Sequence, residues 1–218
     1  MRKWWLFCKR DYSATRQHSR FFSVLLGLTA LVFIWSVIGA RDLFTWLLEV
    51  FPILIVVPLL VATYARFPLS RLVYVLIAVH AVILMIGAHY TYAEMPFFNW
   101  LRDEFHLARN YYDRLGHVAQ GFIPAIAVRE ILLRASPLRP GKWLFFLVTC
   151  VALAGSACYE LLEWWVAAAS GSDAVAFLAT QGDVWDTQCD MFLALVGAIV
   201  AQLLLWRVHD RSMALVQG

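Results

Sequence analysis

Charge is scarce in this chain. Lys, Arg, Asp and Glu make up 15% of its 218 residues, against roughly 25% in soluble domains, so there are too few polar side chains to cover a water-soluble fold of this length. The 62% hydrophobic content and mean hydropathy of +0.69 exclude disordered and low-complexity chains on the same grounds. Cysteine is also sparse. Cys8, Cys150, Cys158 and Cys189 show no CxxC spacing, which excludes a zinc knuckle and a disulfide framework; two of them lie in apolar stretches and read as small buried hydrophobes. GxGxxG, Walker A and GxSxG patterns are missing, so no nucleotide loop or nucleophile elbow is indicated, and nothing suggests nucleic-acid binding. No hydrophilic domain and no low-complexity linker is left over.

What is present are long apolar runs. A helix needs roughly 20 apolar residues to cross about 30 Å of hydrocarbon, and six stretches qualify: approximately Phe22 to Gly39, Leu43 to Ala65, Leu72 to Tyr92, Leu115 to Leu133, Trp143 to Ala168 and Gln188 to Trp206. The expected fold is an all-α polytopic membrane bundle of about six transmembrane helices, with a basic arm over residues 1–20, the six-span domain over 21–207 and a tail over 208–218. The first run follows a 20-residue polar arm and lacks a small-residue cleavage site, so it reads as a retained anchor rather than a signal peptide. Only the connections near residues 93–114 and 169–187 are long.

The bases give an orientation. Thirteen of the eighteen lie in the arm, the second and fourth turns and the tail, while Arg41, Arg102, Arg109 and Arg114 are the four on the other side. Both termini are therefore expected in the cytoplasm, with both long connections facing outward, as suits a multipass protein of the bacterial inner membrane. The basic arm would touch anionic lipid, and Phe97, Phe98, Trp100 and the Trp164-Trp165 pair read as interfacial aromatics. The acids, unused in that argument, divide the other way. Twelve of fifteen fall in the outer half: Asp42, Glu49, Glu94, Asp103, Glu104, Asp113, Glu160, Glu163, Asp173, Asp183, Asp186 and Asp190.

The outer ends of the spans carry the chemistry. The third closes on His89-Tyr-Thr-Tyr-Ala-Glu94, and in the fourth Asp113, His117 and Gln120 share one helical face, with the small Gly116 and Gly121 beside it. Ser156, Glu160 and Glu163 form a stripe near the outer end of the fifth. Asp183, Asp186 and Asp190 precede or open the sixth, with Gly197 one heptad further in. Tyr112-Asp113-x-x-x-His117 and Trp185-Asp186-x-x-x-Asp190 echo one another, in the manner of a weak parallel repeat.

Charge at depth in a membrane costs roughly 2.5–3.5 kcal/mol on insertion scales, and such residues normally face the bundle interior with a partner. Three solutions exist for these acids: protonation, pairing with Arg109 or Arg114, or a divalent metal ion held among carboxylates and imidazole, a donor set suited to Mg, Mn, Fe or Zn. The metal reading uses Asp113, His117, Glu160, Glu163, Asp186 and Asp190, with His89 or Glu94 as general base, in an envelope enzyme that acts on a lipid-linked substrate. Two other readings stand beside it. The network is fold-holding in a structural or accessory protein, or the acids relay protons or cations in a small transporter. His89 and the mid-span His80 each have an ordinary structural reading.

The blocks GAHYTYAEMPFFNWL, RNYYDRLGH, YELLEWW and TQGDVWDTQCDM, with the six-span layout, resemble the YjdF-like family of uncharacterised bacterial inner-membrane proteins, over most of the chain from about Arg41 onward. The resemblance implies a membrane location and brings no reaction with it. A more distant similarity is to the VanZ-like membrane proteins: Asp113-Arg114-x-x-His117 fits the first part of their pattern, and Asp190 with Gly197 fits the spacing of the second. Ala194 stands where that pattern usually has Asn, and Glu163 where a Gln is common, so the sequence departs from that pattern at these two positions. It implies a role in the cell envelope.

Overall fold

The structure, a computed structural model, describes residues 12–170 and 175–217. The first eleven residues of the basic arm, and Asp173, lie outside the described residues. Every regular element among the described residues is helical: α1 (Tyr12–Val37), α2 (Leu43–Thr63), α3 (Arg71–Tyr90), a 3-10 turn at Tyr92–Glu94, α4 (Pro96–Glu104), α5 (Tyr112–Ala135), α6 (Lys142–Ser170), the single turn α7 (Val175–Leu178) and α8 (Asp186–Gln217). Helix is what apolar runs of this length must form in hydrocarbon, where each backbone N–H and C=O has to find its partner within the segment.

Among the described residues five helices are long and apolar enough to cross a membrane, over Ser19–Val37, Leu43–Thr63, Arg71–Tyr90, Lys142–Ser170 and Asp186–Val216. The expected fourth span is α5, whose 24 residues reach about 36 Å at 1.5 Å per residue. It differs from the others because Asp113 and Arg114 sit at one end and Arg129, Glu130 and Arg134 at the other. Its position explains how it tolerates them: α5 is the hub, packed against α3, α6 and α8, and all of these but Arg134 are buried. The apolar core of the hub is built from Val73, Ala125, Ile126, Val148, Ala198 and their neighbours. Helices α1 and α2 lean on α3 from outside.

The closest approach is between α5 and α8. A Cβ added at Gly121 would stand 1.8 Å from the Ala194 carbonyl oxygen, and one at Gly197 would stand 2.3 Å from that of Val118. The two backbones therefore touch directly, as small residues permit at a membrane helix crossing. Gly116 serves a different neighbour, since its face receives the Tyr92 ring, 3.0 Å from where a Cβ would stand.

At the end of the bundle that bears the termini, a buried network locks α5 to α8 and to the turn before α3. Glu130 accepts from the Ser70 amide at 2.8 Å and pairs with Arg134 at 2.5 Å. Arg129 pairs with Asp210 at 2.7 Å and donates to His209 Nδ1 at 2.8 Å. An Nδ1 that accepts leaves the proton on Nε2, which faces Glu130 Oε2 at 3.1 Å. These partners extend α8 as ordered helix to Gln217, through residues read from the sequence as a tail. The helical arm likewise begins earlier than the first apolar run, at Tyr12.

Helix α2 starts at Asp42, whose Oδ2 accepts from the Thr45 amide at 2.8 Å. Asp42→Ala is expected to cost about 1 kcal/mol of stability, read as a small fall in the thermal midpoint of the purified protein, while Asp42→Asn retains most of it.

Candidate functional site

The α5–α8 crossing sets the opening turns of the two helices side by side, so that Asp113-x-x-x-His117 faces Asp186-x-x-x-Asp190. The loops that lead into them are tied together. The Asn110 amide donates to Gln181 Oε1 and Gln181 Nε2 donates back to the Asn110 carbonyl, each at 2.9 Å, and Asn110 Nδ2 reaches Asn99 Oδ1 at 2.8 Å. Ala179 and Gln181 are held at φ of 48° and 51°, a left-handed conformation that non-glycine residues adopt only where surrounding contacts impose it. The Ala179 carbonyl thereby accepts from Arg109 Nη2 at 3.0 Å.

Two arginines organise the acids. Arg109 lies 2.6 Å from Asp186 and 3.4 Å from both Asp113 and Asp183. Arg114 lies 2.7 Å from Asp186, 2.9 Å from Asp183 and in direct contact with Asp190. The planar fork of a guanidinium can serve several carboxylates at once, which a lysine cannot. Asp183, the most exposed of the group, also accepts from the Trp185 amide at 2.9 Å. That bond, with the two arginines, holds its carboxyl below the ordinary value of 3.8. A lowered carboxyl keeps its contribution above the unfolded pKa and loses it as pH falls through the folded one, so this ion pair outlasts mild acid.

His117 sits deeper on the same face. Its Nε2 is 3.4 Å from Asp113 Oδ1 and 3.6 Å from Asp190 Oδ1, and Asp113, His117 and Asp190, all buried, each offer a donor atom within 4.8 Å of the others. On the other side of the ring, Nδ1 meets Gln120 Oε1 at 2.9 Å. An amide oxygen can only accept, so Nδ1 carries a proton. In the neutral ring the Nε2 lone pair then points between the two aspartates. Glu160 Oε1 lies 3.8 Å from His117 Nδ1; this buried oxygen finds no hydrogen-bond partner among the described residues, as is also true of Ser156 Oγ.

The residues read from the sequence thus separate into groups. Asp113, His117 and Asp190 meet; Glu160 stands beside them. Asp186 is engaged by the two arginines rather than by His117. Glu163 lines a neighbouring cavity together with Glu49. His89 and Glu94 lie elsewhere: His89 Nδ1 faces the Ser36 carbonyl at 3.1 Å with its ring stacked on Trp35, and Glu94 pairs with Arg41 at 3.3 Å on an exposed rim. The chain turns sharply between these two residues at Thr91, with φ of 61°, so proximity in sequence does not carry them to the His117 face. Glu49, buried in α2, is the site residue that sequence reading passed over. Its signal was a lone acid in the apolar run Leu-Leu-Glu-Val-Phe.

Residues 21–211 match the family described as Predicted membrane protein (DUF2238). The chain belongs to this family. It is also 52% identical over 183 residues to the inner membrane protein YjdF of Escherichia coli (strain K12), a match that covers 84% of this chain and 88% of that protein. No solved structure matches. Family membership and the apolar helices together make this a multipass membrane protein, and the Asp113–His117–Asp190 group lies well inside the matched region.

Proposed function

We propose that this protein is an inner-membrane envelope enzyme with both termini in the cytoplasm. Asp113, His117 and Asp190 would hold a divalent metal ion at its outward face, the side from which a lipid-linked substrate would reach the site. The observation that carries the reading is charge left over in a buried place. Two guanidiniums serve the four carboxylates of Asp113, Asp183, Asp186 and Asp190, and Glu160 adds a fifth beside His117, so the arginines neutralise only part of the set. The donor geometry also fits an ion. Bonds of roughly 2.0–2.2 Å put neighbouring ligand atoms about 3.0–3.6 Å apart, and His117 Nε2 stands 3.4 and 3.6 Å from the two aspartate oxygens. Gln120 supplies the outer partner that a metal-bound imidazole normally has.

When bound, such an ion would supply Lewis-acid polarisation or a water of lowered pKa. The chain's own contribution is to fix His117 in one tautomer, to hold Asp190 through Arg114, and to place beside them the carboxyl group of Glu160, whose Oε1 is open to accept a proton. The location is supported by the relative's name as an inner membrane protein, and the orientation by the distribution of bases. A cysteine introduced at Leu107 is expected to react with a membrane-impermeant maleimide from the outer face, and one introduced at Ser136 only after permeabilisation.

Gln120→Leu removes the outer partner of His117 and is expected to weaken affinity for Mn(II) or Zn(II) about 10- to 100-fold at unchanged folded yield. Titration of the purified protein checks this, and equal affinity in the variant would contradict the assigned tautomer and the site with it. A second reading has its own support. Because Arg109 and Arg114 already dock four aspartates, the cluster could serve only to hold the fold; in that case Asp113→Asn or His117→Ala lowers abundance and phenotype together, whereas a site loses phenotype at normal abundance.

A further inference from the structure

A cavity of about 470 Å³ opens between α2, α3, α5 and α6. Its lining runs along α5 from Asp113 to Val128, about 22 Å at 1.5 Å per residue, a length that suits an extended hydrocarbon chain. The sequence explains the void. Pro52 lies within α2 and Pro124 within α5, each removing one helical N–H donor, and small residues such as Ala127, Ala152 and Gly155 stand where larger ones would fill the space. Helices α2 and α6 form facing walls yet do not pack along one another. Exposed Leu162 and Val151 flank the gap, so the cavity opens sideways toward the apolar surface.

The walls are mostly apolar; His80 stands midway along them, Gln120 lies beside His117, and the carboxyl groups gather toward one end, where Glu49, Asp113, His117 and Glu163 line the space. Among the described residues no Lys or Arg lines the cavity; Arg109 and Arg114 are turned to Asp183, Asp186 and Asp190, which lie outside it. Ser156 Oγ, on a side chain only 1% exposed, faces this space without a hydrogen-bond partner. A phosphate here would meet carboxylates and no arginine. A primary ammonium would find counter-charge in Glu49 and Glu163 and an acceptor in Ser156, and buried carboxylates in hydrocarbon require such a partner.

We infer that this cavity binds one hydrocarbon chain of a membrane lipid bearing an amine headgroup, admitted laterally from the bilayer between α2 and α6, with the amine between Glu49 and Glu163. The inference names the substrate class of the proposed site and rests on that reading only in placing the headgroup beside His117. Its test therefore runs in EDTA, so that lipid binding and metal binding fail separately.

Hexadecylamine, hexadecanol and hexadecyl phosphate compete with a fluorescent alkyl-chain probe on the purified full-length protein. The amine is expected to displace the probe at least about tenfold more tightly than the phosphate, since breaking a buried charge pair costs several kcal/mol. Glu49→Gln with Glu163→Gln removes the amine's advantage and leaves hexadecanol unchanged. A Cβ at Gly155 meets nothing within 4 Å, so Gly155→Phe fills the cavity without backbone collision and weakens all three ligands; Gly155→Leu does the same with less bulk if the larger ring impairs folding. Phosphate binding as tight as the amine in the wild-type protein, or undiminished binding in a folded Gly155→Phe variant, overturns the inference.

Discussion

Gly121→Val is expected to reduce the yield of monodisperse, folded protein to background. The obstacle is backbone, since the added Cβ would sit 1.8 Å from the Ala194 carbonyl oxygen, and no rotamer change relieves that overlap. The helices must separate, which exceeds the roughly 1–3 kcal/mol usual for overpacked cores. Gly197→Val, which meets the Val118 carbonyl oxygen at 2.3 Å, should behave alike. Gly27→Ala is the control, because nothing lies within 4 Å of the new atom and the substitution raises helix propensity. Size-exclusion profiles of the detergent-solubilised variants make the comparison. Because the same crossing sets His117 against Asp190, a partly folded Gly121→Ala protein should show weakened metal binding as well as lower stability.

Arg114→Met is the second large effect. It removes the cation that touches Asp183, Asp186 and Asp190, and stripping one partner from a buried ion pair costs about 3–5 kcal/mol. Arg109 remains near Asp186 at 2.6 Å but does not reach Asp190, so Asp190 bears most of the loss. The distinguishing observation is rescue: Asp190→Asn in the Arg114→Met background should recover part of the thermal midpoint, as coupled neighbours do in a double-mutant cycle. Arg114→Lys should recover less, because a single ammonium cannot span three carboxylates.

The fold was legible where one physical rule dominated. Hydrocarbon demands helix, and each of the six apolar runs falls on a helix; the differences lie at the ends, where His209 and Asp210 carry α8 onward through partners on α5. Gly116 and Gly121 were readable as close-approach positions; Gly121 meets the α8 backbone, while Gly116 receives the Tyr92 ring. The shared face of Asp113, His117 and Gln120 followed from helical spacing alone.

Relations across loops were harder to read. Spacing within a helix could not show that Arg109, outside α5, reaches α8 through the Asn110–Gln181 exchange, nor that it and Arg114 together engage Asp186. His89 and Glu94 flank a backbone reversal at Thr91, so their distance from the His117 group depended on a dihedral angle rather than on any residue type. Glu49 counts among the outer acids but was not placed in the site, because a single acid in an apolar run looks the same whether it faces a cavity or a helix neighbour.

Metal content per chain of the purified wild-type protein, measured by mass spectrometry beside His117→Ala and Asp190→Asn variants of equal folded yield, tests the central claim most directly. The account predicts one divalent ion per wild-type chain after exposure to Mn(II) or Zn(II), and none retained by His117→Ala. A folded wild-type protein that stays metal-free, or a His117→Ala variant that keeps the same stoichiometry, would contradict it.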